Sequence, residues 1–163
     1  MNLELLKDKR LRYGSGVIIL VILLLLLWSC DSLTGNILTP DKFIRTTKEL
    51  TVKEKEAQAD WNGLLNSTSF EDLCTETYAT QFEELGERFI SIYKEFQSLK
   101  VEGDKETVIP NYQEYLAYFH TFKLIGEELI EFADVVRQGK YQDALVVIDN
   151  LVTLNQQIPI IEW

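Results

Sequence analysis

The sequence predicts an all-α fold, on three observations. Two long segments carry apolar residues in unbroken alternating steps of four and three: Tyr78, Phe82, Leu85, Phe89, Ile92, Phe96, Leu99, and then Tyr115, Tyr118, Phe122, Ile125, Leu129, Phe132, Val136. This is the spacing of a helix-packing stripe. Capping residues precede such stripes and glycines follow them, and no window sustains the two-residue alternation of a half-buried strand. Four amphipathic helices of about 16 to 30 residues with short connections predict an antiparallel up-and-down bundle over residues 40–163, after an apolar N-terminal signal or anchor helix.

Taken in order, residues 1–16 (MNLELLKDKRLRYGSG) carry Lys7, Lys9, Arg10 and Arg12, and twelve apolar residues follow at 17–28, ahead of Ser29 and Cys30. Basic, then apolar, then small is the order of an export signal. Twelve helical residues reach only about 18 Å, against a hydrocarbon core of roughly 30 Å, so length favours a signal peptide at 1–29 over a span. The uncharged stretch from 13 to 30 keeps an uncleaved signal anchor as the alternative. Basic residues ahead of the apolar run hold that end inside, because the next Lys or Arg after it is Lys42.

Leu27-Trp28-Ser29-Cys30 resembles the lipobox of bacterial lipoprotein precursors, with an aliphatic residue three before the cysteine and a small residue one before it. The resemblance implies diacylglyceryl transfer to the Cys30 sulfur, cleavage just ahead of it, and a mature chain anchored by lipid on the extracytoplasmic face of the cell membrane. In a two-membrane bacterium, Asp31 after that cysteine resembles an inner-membrane retention signal. Each acyl CH₂ buried contributes ~0.8 kcal/mol, so two or three chains hold stably.

Residues 1–29 hold four basic and two acidic side chains, while residues 30–163 hold 12 basic and 24 acidic, net charges of +2 and −12. A domain that acidic, with no basic stripe, repels phosphate backbones, so nucleic acid is not an expected partner. Residues 30–39 read as a tether, with turn formers Gly35 and Asn36. Thr39-Pro40-Asp41 then supplies a cap, a proline at the first helical position and an acid in the first turn. The helix they open carries Phe43, Leu50, Ala57, Trp61 and Leu64, with Thr47 and Glu54 reading as interruptions. Asn62-Gly63 and Asn66-Ser67-Thr68 read as loop chemistry.

Ser69 with Asp72 reads as a cap opening the second helix, and Glu102-Gly103-Asp104 as the turn beyond it. The third helix is expected from about Pro110 to Arg137, ended by Gly139. The fourth is expected from Tyr141 to about Gln156, burying Ala144, Ile148 and Leu151, with Pro159 closing it. Residues 132–159 resemble a single tetratricopeptide-type helical pair at Ala133, Gly139, Tyr141, Ala144 and Pro159. With no second copy, they read as an ordinary helical hairpin.

Three constellations bear on chemistry. Glu83, Glu84, Glu87 and Glu127, Glu128, Glu131 invite comparison with helical di-metal sites. Ala117, however, stands where Glu-x-x-His120 would need its acid, and the carboxylates lie off the apolar stripes. A solvated acidic face, with Glu84 paired to Arg88 one turn on, is the expectation. His120 is the sole histidine and has no nucleophile in a recognisable motif beside it, so it is expected to be structural and partly exposed. The aromatic group Tyr112, Tyr115, Tyr118 and Phe119 is wider than one stripe needs. Core packing is its expected role, and a partner surface is the alternative, because tyrosine joins an apolar ring to a hydroxyl that wants a partner. Cys74 is expected to be a small core residue if Cys30 is acylated, and otherwise a disulfide partner of Cys30 in an oxidising compartment. No catalytic residue, metal site or cofactor is predicted. The expected function is that of a membrane-tethered, non-catalytic binding or accessory module with a protein partner at the envelope. The alternatives are a single-pass anchored subunit and an acidic metal- or ligand-binding protein.

Overall fold

The structure, a computed structural model, describes residues 37–67 and 69–161. The expected signal segment 1–29, Cys30 and most of the expected tether lie outside the described residues. Six helices take up 81% of what is described, and the only strands are two residues long, so the fold is all-α. In chain order the elements are β1 (Ile37–Leu38), α1 (Pro40–Ser67), α2 (Phe70–Leu73), α3 (Glu76–Ser98), β2 (Lys100–Val101), α4 (Lys105–Val108), α5 (Tyr112–Arg137) and α6 (Tyr141–Gln156). The strands β1 and β2 pair into a two-stranded sheet. Among the described residues no helix is long and apolar enough to cross a membrane.

α1 corrects two expectations. Thr47 and Glu54 are fully buried, so the core-facing stripe runs on through Phe43, Thr47, Leu50, Glu54, Ala57 and Trp61 in alternating steps of four and three. Thr47 and Thr51 are accommodated because each hydroxyl donates to the carbonyl four residues earlier, Phe43 at 2.8 Å and Thr47 at 3.0 Å. The helix also runs through Asn62-Gly63. Glycine inside a helix costs roughly 1 kcal/mol, less than the burial of Trp61 two residues earlier contributes.

Ser69 does cap, accepting from the Asp72 N–H at 3.3 Å, but it opens only the single turn α2, and the long helix begins at Glu76. A second single turn, α4, capped by Asp104, precedes α5, which starts at Tyr112 rather than Pro110. α5 ends as expected. Gly139, at φ +68°, donates to the Val136 carbonyl and Lys140 to that of Val135, both at 2.9 Å, the paired closure that a left-handed glycine permits. α6 has the expected bounds and buries Ala144 and Leu151 as expected, with Val147 buried in addition and Ile148 only partly so.

α3 and α5, the helices with unbroken stripes, pack most extensively on one another. Their ring contacts pair Phe82 with Phe132, Phe89 with Phe122 and Phe96 with Phe119, at centroid separations of 5.0, 5.4 and 4.5 Å. Midway between these pairs the backbones meet at two glycines. A Cβ on Gly86 would sit 2.5 Å from the Gly126 carbonyl oxygen and 2.8 Å from Ile130 Cγ1, and one on Gly126 would sit 2.7 Å from the Gly86 oxygen. Only the absence of both side chains lets the aromatic pairs on either side close.

Candidate functional site

The aromatic group singled out in the sequence is interior. Tyr112, Tyr115, Tyr118 and Phe119 are 9, 4, 7 and 0% exposed. A docking face needs accessible atoms, so the partner-surface alternative for these four gives way to core packing. Tyr112 stacks on Phe96 at 6.0 Å, and Tyr118 meets Phe119 and Phe122 edge-on at 5.3 and 5.0 Å. Burial raises the pKa of the Tyr112 and Tyr115 hydroxyls. The width of the group reflects one helix packing on two neighbours at once: Tyr112 reaches both Phe96 of α3 and Phe43 of α1.

Tyr118 carries a buried hydrogen bond between side chains of different helices. Its hydroxyl donates to Glu54 Oε2, while Glu54 Oε1 has no partner. Burial in low dielectric disfavours the carboxylate and pushes the Glu54 pKa up to about 7, against the opposing pull of the Tyr118 hydrogen bond and the Lys55 charge. The same burial, with the neighbouring carboxylate, raises the Tyr118 pKa. A half-satisfied carboxyl in an aromatic core is an uncommon choice, since an unpaired buried polar atom costs about 1–3 kcal/mol. The sequence held a signal for it: Glu54 keeps the register of the α1 stripe.

The glutamates of α3 and α5 do not converge. Glu84, Glu87, Glu127 and Glu131 are exposed. Glu83 is held by Arg137 Nη2 at 2.7 Å, Lys123 sits 2.8 Å from Glu127, and Asn150 donates to Glu128 at 3.2 Å. Among the described residues no group of three or more His, Cys, Asp or Glu is placed to hold a metal ion. Arg88 bonds not to Glu84 but across to α1, 2.7 Å from Asp60 and 3.6 Å from Glu56. Arg137 likewise ties α5 to Glu76 and Glu83 of α3. Local i,i+4 pairing loses here to pairing between helices. His120 is exposed, its ring packed edge-on to Tyr93 at 5.9 Å. Cys74 is half-buried, and burial raises its thiol pKa.

The feature that sequence reading missed is the outer side of α6. Tyr141, Leu145, Val146 and Val152 are 52, 46, 61 and 49% exposed, although the helix is already packed on α5. Tyr141, Leu145 and Val152 share one face by helical spacing, and Val146 lies on the other flank. There it lines a groove between α5 and α6, formed by two hollows of about 650 and 360 Å³ that share Glu127 and Asn150. A shallower hollow of about 530 Å³ lies between α1 and α3, against Asp60, Leu64, Leu85 and Arg88. None of these three hollows brings a nucleophile, a base and an oxyanion donor together. Comparison with family models, with curated proteins and with solved structures returned no match to this chain.

Proposed function

We propose that this chain is a membrane-tethered, extracytoplasmic lipoprotein whose acidic helical domain binds a protein partner at the envelope and has no catalysis of its own. One observation carries the tether: a basic leader, twelve apolar residues, then Leu27-Trp28-Ser29-Cys30. Lipidated Cys30 is the anchor, and Asp31 begins the water-facing chain. The exposed apolar face of α6 supports the binding role, because apolar patches rimmed by polar groups mark interaction sites more often than chance exposure. The domain itself is an antiparallel up-and-down bundle of α1, α3, α5 and α6. In support, residue numbers rise along α3 as those of their ring partners fall along α5, and α6 returns along α5 after a three-residue turn.

A second reading has a specific observation behind it. The eighteen uncharged residues from 13 to 30 span about 27 Å as a helix, close to a bilayer core, and suit an uncleaved anchor. Membrane fractionation of the wild-type chain and Cys30→Ser separates the two. A lipoprotein yields a shortened membrane-bound wild type and an accumulated full-length Cys30→Ser precursor. Two full-length, equally membrane-bound proteins would instead support the anchor.

A further inference from the structure

We propose that the groove between α5 and α6 is the docking site for a cationic amphipathic helix of a partner protein. This deepens the binding role above and rests on it. The groove floor is apolar, with Leu124 and Val135 of α5 facing Val146, Val147 and Leu154 of α6. Val146, in the larger of the two hollows, is the most exposed large apolar residue of either helix. The rim is acidic, formed by Glu127, Glu128, Glu131, Asp134 and Asp143, and Lys140 is the only base along it. Among the described residues the Glu131 and Asp143 side chains have no ion pair or hydrogen bond, whereas Glu127, Glu128 and Asp134 are engaged by Lys123, Asn150 and Arg137.

Charge decides what the occupant is. A second copy would set one acidic rim against another, with residues 30–163 at net −12 on each side, and an anionic lipid surface is repelled for the same reason. A helix with Leu or Ile on one face and Lys or Arg along both edges matches floor and rim together. Length agrees: the twelve residues from Leu124 to Val135 span about 17 Å, three turns of a docked helix. Glu127, Glu131 and Asp134 stand at steps of four and three, the spacing at which a helix presents successive basic residues.

The probe is a synthetic peptide of about four helical turns, leucines on one face and lysines on the rest, with an isomer of equal composition whose leucines are scattered. Binding is measured to the full-length chain in phosphatidylcholine nanodiscs, with empty discs as baseline. The patterned peptide is expected to bind at least ~10-fold tighter than its isomer and to weaken with added salt. Val146→Glu and Glu131→Lys, both at exposed positions, are each expected to reduce that affinity about 10-fold with unchanged circular dichroism. Equal binding of the two peptides, or indifference to both substitutions, overturns the groove. So does a wild-type chain that self-associates and is dispersed by Val146→Glu. Each of these results leaves the lipid tether standing, because the fate of Cys30→Ser is read separately.

Discussion

Gly86→Val is expected to lower the free energy of unfolding by about 3 kcal/mol, the upper end of what overpacking a well-filled core costs. A first methyl-sized atom there already lies 2.5 Å from the Gly126 carbonyl oxygen. That neighbour is backbone, so no side-chain rotation relieves the clash. The helices must separate, and separation loosens the Phe82–Phe132 and Phe89–Phe122 pairs on either side. Gly126→Val is expected to cost a similar amount, and the double substitution less than the sum, since the first already forces the helices apart. Urea denaturation followed by circular dichroism measures all three. Losses under about 0.5 kcal/mol, the range of ordinary surface substitutions, would mean that α3 and α5 do not approach as described.

Stability is expected to fall as pH rises from about 4.5 to about 7, because of Glu54. Below this window the folded and unfolded chains both hold the proton, and the group adds no pH dependence. Within it the unfolded carboxyl ionises near its ordinary value of 4.5, while the folded one stays protonated until about 7. Each rise in pH therefore favours the unfolded chain, and above the window the loss is complete. The displacement corresponds to a loss of about 3 kcal/mol at ~1.36 kcal/mol per pH unit. Other ionisable groups of the chain titrate over the same range. The informative quantity is hence the difference between the wild type and Glu54→Gln. Glutamine keeps the shape and accepts the Tyr118 hydroxyl, but it cannot ionise. The variant is expected to lose the decline across this window and to be the more stable protein above pH 7. Parallel profiles for the two proteins, by thermal melts across the pH range, would contradict a buried protonatable Glu54.

Much of the fold was legible in the sequence because apolar periodicity is a local signal. All seven stripe residues of α5 are buried, and so are five of the seven on α3, with Tyr78 and Leu99 half-buried at the ends. The left-handed glycine at 139 closed α5 where its chemistry indicates. What was not legible depends on neighbours distant in sequence. Glu54 reads as polar until Tyr118, sixty-four residues on, is placed against it. Gly86 and Gly126 sit among glutamates and resemble weak points until the two helices are brought together. Tyr112, Tyr115 and Tyr118 are buried, in line with the core packing expected of them, but a tyrosine stripe looks alike in sequence at a core and at an interface. The exposed face of α6 escaped notice because its valines and leucines read as core residues in a helix apolar on more than one side.

The proposed tether turns on Cys30, whose sulfur would carry the lipid that holds the acidic helical domain at a membrane. Intact-mass and N-terminal peptide mass spectrometry of the protein extracted from native membranes tests this directly. The predicted result is a chain that begins at Cys30 with a thioether-linked diacylglyceryl group. A chain that retains Met1 with an unmodified Cys30 thiol would contradict it.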